Sequence, residues 1–171
     1  MLNIYQTVVV GVVLAAVICD LRTRRIPNLL TFGAAFAGLC VHTYVGGWTA
    51  LGVAAAGCLA GAALFFPFFA LGGMGAGDVK LLGAIGAWVG PAAVVWVALF
   101  SSIAGGVMAL VVAVASGYLM QALTNIWGLL TYWRIVGPRP APDLTLSSHQ
   151  GPRLAYAVPM FAGLVVTLWL Q

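Results

Sequence analysis

Apolar residues run almost unbroken through this chain, in stretches at about residues 4–19, 29–45, 48–71, 79–123 and 154–170. A helix needs about 20 such residues to cross a hydrocarbon core about 30 Å thick, so the stretch at 79–123 is long enough for two crossings. Lipid offers backbone groups no hydrogen-bond partner, so these stretches must be helical. The sequence therefore predicts an all-α integral membrane protein, a bundle of six transmembrane helices.

Composition supports the membrane assignment. Of 171 residues, 63% are hydrophobic and only 6% are charged, which excludes an ordinary soluble domain. Residues 1–6 contain no Lys or Arg, so we interpret the first apolar stretch as a retained span and not as a cleaved signal peptide. The most polar interval, Thr124 to Arg153, still contains Trp127 and Trp133. We predict a single integral-membrane domain, residues 1–171, with the lipid bilayer as a partner and no nucleic-acid partner.

The long stretch at 79–123 has two candidate turns, Gly90-Pro91 and Ser101-Ser102. A turn at Gly90-Pro91 is favoured, and it leaves a fourth helix of about 11 residues, or about 17 Å, too short to span alone. Asp78 would then lie below the membrane surface. The alternative is a Gly-Pro kink halfway through a span, which membrane helices tolerate.

The basic residues predict the orientation of the chain. They follow the first span, open the fourth, and flank the loop before the last: Arg22, Arg24, Arg25, Lys80, Arg134, Arg139 and Arg153. With the N-terminus outside, all seven lie on the cytoplasmic side, as positively charged loops do. Asp20 and Asp78 are then expected to approach the membrane from the same, cytoplasmic face.

Acidic residues are few, and two of the three lie at the edges of apolar stretches. A carboxylate near lipid costs several kcal/mol unless something compensates, so an intramembrane acid is a functional hypothesis by default. Asp20 and Asp78 are therefore candidate functional residues. Asp143, beside Pro142 in the polar interval, is interpreted as a solvated turn residue.

Asp20 begins the segment Asp20-Leu-Arg-Thr-Arg-Arg-Ile-Pro-Asn28. Pro27 discourages helix at the residue before it, and Asn28 is expected to cap the helix that follows. The alternative is that Asp20 only pairs with a neighbouring arginine at the membrane edge. A carboxylate at a helix C-terminus is disfavoured by about 0.3–1 kcal/mol, so a purely structural Asp is not expected there.

Asp78 follows a run with four glycines in six residues, Gly72-Gly-Met-Gly-Ala-Gly77. Such a run lets the backbone approach a neighbouring helix or a bound peptide and adopt dihedral angles that other residues avoid. The alternative is that Asp78 caps the helix that begins at Val79. The spacing of a phosphate-binding loop is absent.

The sequence contains no pattern typical of a metal site or of a disulfide framework. Three scattered cysteines and two distant histidines give no zinc or disulfide pattern: Cys19, Cys40, Cys58, His42 and His149. We predict no metal and no cofactor. Two carboxyl groups in a site of low dielectric constant would share one proton. The ionised group could then act as general base toward water while the protonated group polarises a scissile carbonyl, as in an aspartic protease.

The residues around both acids carry a family resemblance. Asp20 followed by Ile26-Pro27-Asn28, and Gly75-Ala-Gly-Asp-Val-Lys80 continuing to Trp88, resemble the two signature segments of the type IV prepilin peptidases, the bacterial GxGD intramembrane aspartyl proteases. The segment Arg153-Leu-Ala-Tyr-Ala-Val-Pro159 is similar to the opening of that family's last span.

The resemblance implies a function: removal of the short basic leader from type IV prepilins at the cytoplasmic face of the bacterial inner membrane. It implies that Asp20 and Asp78 are the catalytic dyad. Residues that bind substrate or shape the site are then expected among their neighbours: Gly75, Gly77, Lys80, Pro27 and Asn28. Lys80 has an alternative interpretation as a membrane anchor.

The chain departs from the bifunctional members of the family. Those members carry an insertion with paired CxxC motifs after the first span and also methylate the new N-terminus, whereas residues 21–28 form a short loop without cysteine. N-methyltransferase activity is therefore not predicted. The short form resembles the peptidases of tight-adherence (Flp) pilus systems.

Two other functions stay open at the level of sequence. Asp20 and Asp78 could form the relay of a small proton-coupled carrier, or could be structural residues in a non-catalytic subunit of a secretion machine. Pairs of glycines at 57 and 61 and at 86 and 90 have the spacing that lets helices approach closely. We expect them to serve packing within the bundle, with a homodimer as the second use.

Overall fold

The computed structural model describes residues 4–139 and 154–170. Those residues contain no strand and form five helices: α1 (Ile4–Thr23), α2 (Asn28–Ala70), α3 (Ala76–Ala115), α4 (Leu119–Val136) and α5 (Ala157–Leu170). The first three helices are long and apolar enough to cross a membrane, and α5 is apolar but shorter. The prediction of an all-α membrane protein is confirmed. The predicted count of six helices is not, because the described residues contain five.

The difference in count comes from two long helices. α2 has 43 residues and α3 has 40, so each would be about 60 Å long if it were straight, twice the thickness of the hydrocarbon core. Each is continuous except at one glycine with non-helical dihedral angles, Gly47 (φ 64°, ψ −155°) in α2 and Gly90 (φ 81°, ψ 173°) in α3. A positive φ costs glycine little, so a single residue makes each break.

The break at Gly90 reverses the direction of the chain. A Cβ atom on Gly61 would touch the backbone of Leu82 and lie 3.1 Å from the side chain of Val94. In a straight helix the Cα atoms of Leu82 and Val94 would be about 18 Å apart. The turn predicted at Gly90-Pro91 is therefore confirmed, whereas the alternative site, Ser101-Ser102, lies inside α3.

Glycines let α2 and α3 touch through their backbones. A Cβ on Gly57 would collide with the carbonyl oxygen of Gly86. In the same way, a Cβ on Gly86 would collide with the carbonyl oxygen of Gly57. Because helices in lipid gain little from burying apolar surface, close approach through small residues is a main source of their association. Packing within the chain is thus a confirmed use of these glycines, and the homodimer stays a prediction.

The last helix, α5, completes the bundle, and α4 packs against this bundle only weakly. α5 packs on α3, where Gly163 admits the side chain of Ser101, and α1 contacts both. The apolar stretch at 79–123 is not helical to its end as one element. α3 ends at Ala115, and a turn at Gly117 (φ 67°) separates it from α4. α4 contacts α3 only weakly, and none of its described residues is buried. Asp143, His149 and Arg153 lie outside the described residues.

Candidate functional site

Asp20 lies in the last turn of α1 and is 7% exposed. Its backbone carbonyl accepts a hydrogen bond from the N–H of Arg24 at 2.8 Å, and Arg24 (φ 54°) ends the helix. Its side chain points away from this turn, since Oδ2 accepts a hydrogen bond from the backbone N–H of Ala157 at 3.2 Å. A carboxyl group from the first helix is therefore held by the last helix.

The partner of Asp20 is the first residue of α5. The first N–H groups of a helix have no partner within it, and the N-terminus of a helix carries a partial positive charge. A carboxylate bound there satisfies one of these donors. At the C-terminal end of α1, the helix dipole disfavours the negative charge of Asp20. The partial positive charge at the N-terminus of α5 offsets this effect.

Asp78 is the third residue of α3 and not its N-cap, although its carboxyl group accepts a hydrogen bond from the backbone N–H of Gly75. The N-cap is Gly75, with extended dihedral angles (φ −76°, ψ 145°) and no side-chain capping bond. The N–H of Asp78 donates to the carbonyl of Gly75 at 3.1 Å, a bond of the first turn. The expectation that Asp78 is the N-cap is wrong because the helix begins two residues before it. Its carboxyl group contacts the first turn from the third helical position instead.

The structure brings Asp20 and Asp78 together at one end of the bundle. They come from the end of α1 and the start of α3, and the charge of Asp20 acts on the carboxyl group of Asp78. Asp20 is buried and Asp78 is half-buried, so water screens the two groups poorly. Two like charges under these conditions favour a state in which the pair holds one proton.

Two glycines of the predicted site make room for the carboxyl group and for the neighbouring loop. A Cβ on Gly75 would lie 3.1 Å from Oδ2 of Asp78, and a Cβ on Gly77 would lie 3.3 Å from Cβ of Ile26. Both distances are shorter than ordinary van der Waals contact. Within residues 72–77, only Gly72 (φ 78°) has a positive φ. The run therefore serves close approach more than unusual dihedral angles.

Pro27, Asn28 and Lys80 link the α1–α2 loop to α3. Pro27 is the N-cap of α2, so the expectation that Asn28 caps this helix is wrong. Asn28 is instead the first helical residue, and its Oδ1 accepts a hydrogen bond from Nζ of Lys80 at 2.9 Å. The same Nζ lies 5.1 Å from the centre of the Phe32 ring. Lys80 thus ties the two signature segments together.

Two neighbours of the acids, the backbone of Ala157 and the side chain of Tyr156, were not predicted as site residues, although both lie in the segment 153–159 that resembles the family's last span. The Tyr156 ring meets Phe65 edge-on, with centres 5.8 Å apart. Burial raises the pKa of the Tyr156 hydroxyl, a hydrogen bond with Ser102 lowers it, and the charge of Asp78 raises it. Pro159, in the first turn of α5, and the apolar run that follows it are the signals in the sequence that a helix begins here.

Metal-ligating side chains do not gather anywhere in the described part of the chain. No group of three or more His, Cys, Asp or Glu side chains is found within residues 4–139 and 154–170. Cys19, Cys40 and Cys58 are free thiols. The site as described is built from two carboxyl groups, the amide of Ala157 and the side chains around them.

Comparison with known proteins identifies relatives of this site. The sequence model of the type IV leader peptidase family matches residues 7–110, which include Asp20 and Asp78. The chain is also similar to proteins named prepilin leader peptidase/N-methyltransferase. It is 37% identical to the one from Burkholderia pseudomallei over 54% of this chain and 32% of that protein. The protein from Aeromonas hydrophila is 38% identical over 57% of this chain and 36% of its own length.

A third such protein, from Neisseria gonorrhoeae, is 29% identical over 67% of this chain and 47% of its own length. The chain thus spans about a third to a half of the length of these curated relatives. No solved structure matches it. Because the family model covers more than half of the chain and both carboxyl groups, the chain belongs to the type IV leader peptidase family.

Proposed function

We propose that this protein is an intramembrane aspartyl endopeptidase that removes the leader from type IV pilin-like (Flp) prepilins. The observation that carries the proposal is the meeting of Asp20 and Asp78, from the end of α1 and the start of α3, with interacting charges. The substrate class is supported by the similar proteins named prepilin leader peptidases. No cofactor enters the proposal.

The chemistry follows from one proton on two carboxyl groups. The ionised carboxylate takes a proton from a water molecule, whose oxygen attacks the scissile carbonyl carbon. The protonated partner donates to the carbonyl oxygen and offsets the charge that develops there. On collapse of the tetrahedral intermediate the C–N bond breaks, and the carboxyl group that took the proton from water gives it to the leaving amine. The other carboxylate takes a proton back from a hydroxyl group of the intermediate, so the dyad again holds one proton.

The proposed topology uses the two glycine breaks as turns. Residues 4–23, 28–46, 48–70, 76–89, 91–115 and 157–170 would be six membrane segments, with the N-terminus outside and the dyad facing the cytoplasm of a bacterium. The reversal at Gly90 supports this arrangement, and the arrangement leaves all seven basic residues on the cytoplasmic side, as positively charged loops do. In a cysteine-free chain, a single cysteine at Thr49 should react with an impermeant maleimide from outside, and one at Arg139 only from the cytoplasmic side. The opposite pattern would invert the topology.

Methylation is not part of the proposal. The similar proteins carry N-methyltransferase in their names, but the α1–α2 loop of this chain is only residues 24–27 and contains no cysteine. The carrier and the assembly subunit are not favoured. The family model and the similar proteins named prepilin leader peptidases support a peptidase instead.

The test replaces each acid separately by its amide, Asp20→Asn and Asp78→Asn, in membranes that also contain a type IV prepilin. Loss of the leader is followed by mass, and accumulation of each variant in the membrane is measured. Each substitution should lower cleavage by about 100-fold or more, because neither carboxyl group can replace the other in proton transfer. The third acid supplies the matched control, Asp143→Asn, which should cleave normally. Cleavage near the wild-type rate in either dyad variant contradicts the proposal.

A further inference from the structure

The hydrogen bond between Asp20 and α5 depends on where α5 begins. The two partners are 137 residues apart in sequence, and Ala157 is completely buried. Nothing in the bond itself fixes the position of the helix end, since an amide and a carboxylate can separate by a small shift of either helix. Something next to Ala157 must hold the first turn in place for Asp20 to keep one orientation.

The side chain immediately before Ala157 is held by α2 and α3 together. The ring of Tyr156 packs edge-on against Phe65 of α2. A Cβ atom on Gly105 of α3 would lie 2.8 Å from Cε2 of Tyr156, so this glycine forms a slot in which the ring sits. The hydroxyl group reaches toward the carbonyl of Ser101 at 3.5 Å, which is long for a hydrogen bond. Ring packing is therefore the stronger constraint.

Tyr156 is also coupled to the helix and to the dyad. Its carbonyl accepts the N–H of Met160 at 3.2 Å, one of the first hydrogen bonds of α5, so a displacement of Tyr156 moves the helix end. The residue that follows Tyr156, Ala157, donates its backbone N–H to Oδ2 of Asp20 at 3.2 Å, so Tyr156 is one residue away from a direct contact with the dyad. Tyr156 thus contacts α2 and α3, lies immediately before α5 and adjoins the residue that binds Asp20.

We propose that Tyr156 is a positioning residue of the peptidase, which the Gly105 slot seats so that the N–H of Ala157 keeps Asp20 in its productive orientation. This inference rests on the proposed function, because it concerns the rate of the same cleavage. Small misplacements of a reacting group lower the rate of the chemical step by up to about 100-fold while leaving substrate binding intact. The effect is therefore expected in kcat and not in KM.

The experiment compares two adjacent glycines of α3. Gly105→Ala places a methyl group against the Tyr156 ring, whereas Gly106→Ala meets nothing within 4 Å. With a purified prepilin in detergent, Gly105→Ala should lower kcat by roughly 10- to 100-fold with KM within about twofold. Gly106→Ala should leave both constants near wild type. Equal cleavage by the two variants, or a change confined to KM, overturns the inference.

Substitutions at Tyr156 test the mechanism and stand on their own if Gly105→Ala fails to accumulate. Tyr156→Leu removes the ring and should lower kcat by a similar factor, while Tyr156→Phe keeps the ring and should recover most of the loss. In the Tyr156→Leu background, Gly105→Ala should add no further loss, because the clash is gone. Losses that multiply, or equal losses in the Leu and Phe variants, contradict ring-based positioning.

The outcomes separate this inference from the function on which it rests. A wild-type protein that does not cleave the prepilin refutes both. The role of Tyr156 alone is refuted if the wild-type protein cleaves, the dyad variants do not, and the Gly105→Ala variant cleaves normally.

Discussion

Two apolar helical segments of this protein have opposite environments. In residues 79–88 of α3, every residue except Lys80 is buried, whereas in α4 none is. Their tryptophans show the difference: Trp88 is 7% exposed and Trp127 is 74% exposed. Both segments are rich in large apolar side chains, so apolar composition does not decide which of them lies inside the bundle.

The decisive difference is the distribution of glycine. Gly83 and Gly86 bring the backbone of α3 against α2 at Cys58 and Gly57, whereas Gly128 of α4 has nothing within 4 Å of its Cβ position. An apolar side chain is about as stable in lipid as inside the bundle, so burial of apolar surface does not drive helices together. Close packing therefore determines which helices associate. Small residues that face each other, more than the length of an apolar run, therefore distinguish the helices that form the site.

The largest expected effect comes from filling the closest contact of the buried segment. Gly86→Ala places a methyl group on the carbonyl oxygen of Gly57 and should cost about 3 kcal/mol of unfolding free energy in detergent. Gly52→Ala in α2, where nothing lies within 4 Å, is the matched control and should not destabilise the protein. If both variants unfold at the same denaturant concentration, backbone contact is not what holds α3 in place.

A smaller effect is expected at the tryptophan of the buried segment. Nε1 of Trp88 donates to the carbonyl oxygen of Ala34 at 2.8 Å, a buried bond between α3 and α2. Trp88→Phe removes the donor and should cost about 1–2 kcal/mol. The same substitution at Trp127 should change the unfolding free energy by less than about 0.5 kcal/mol. Equal losses at the two positions would remove the distinction between the segments.

Lys80, the one residue of the segment 79–88 that is not buried, should contribute less to stability. Lys80→Met deletes the hydrogen bond to Oδ1 of Asn28 and the cation contact with the Phe32 ring, while keeping the aliphatic stem. Because this hydrogen bond is exposed, the loss should be about 0.5–1 kcal/mol, measured by the same unfolding assay. A loss as large as that of Gly86→Ala would show that Lys80 is part of the core of the fold.

The smallest effect is expected in α4. Leu130→Ala removes a large side chain that is 49% exposed and should change the unfolding free energy by about 0.5 kcal/mol or less. Leu82→Ala, at a fully buried position, provides the contrast and should cost about 2 kcal/mol, chiefly through the cavity that it leaves. A large loss in the α4 variant would mean that this helix packs as a structural member of the bundle.

Much of this arrangement could be predicted from local signals. The apolar stretches predicted an all-helical membrane protein, Gly90-Pro91 predicted the break in α3, and the cost of a carboxylate near lipid singled out Asp20 and Asp78. Each signal is a property of a short segment, so it can be read without knowing what packs against it. α4 was not predicted, because the turn at Ser116-Gly117 lies between apolar residues and does not interrupt their pattern.

The features that could not be predicted depend on partners distant in sequence. Asp78 and Asn28 both resemble N-caps, but the caps are Gly75 and Pro27, because the extended dihedral angles that start a helix fell one or three residues earlier. The donor to Asp20 is a backbone N–H, which every residue except proline carries, so no side chain marks Ala157. Sequence can locate groups with unusual chemistry but not the ordinary amide that orients them.

The bond between Ala157 and Asp20 also sets an order of events in the cell. A ribosome adds about 5–20 residues per second, so residue 157 is made on the order of ten seconds after residue 20. During that interval α1 to α3 can insert, yet the Asp20 carboxyl group lacks its partner. The hydrogen-bonded arrangement of the site is thus completed only when the last helix arrives, and a nascent chain that has not reached α5 cannot form it.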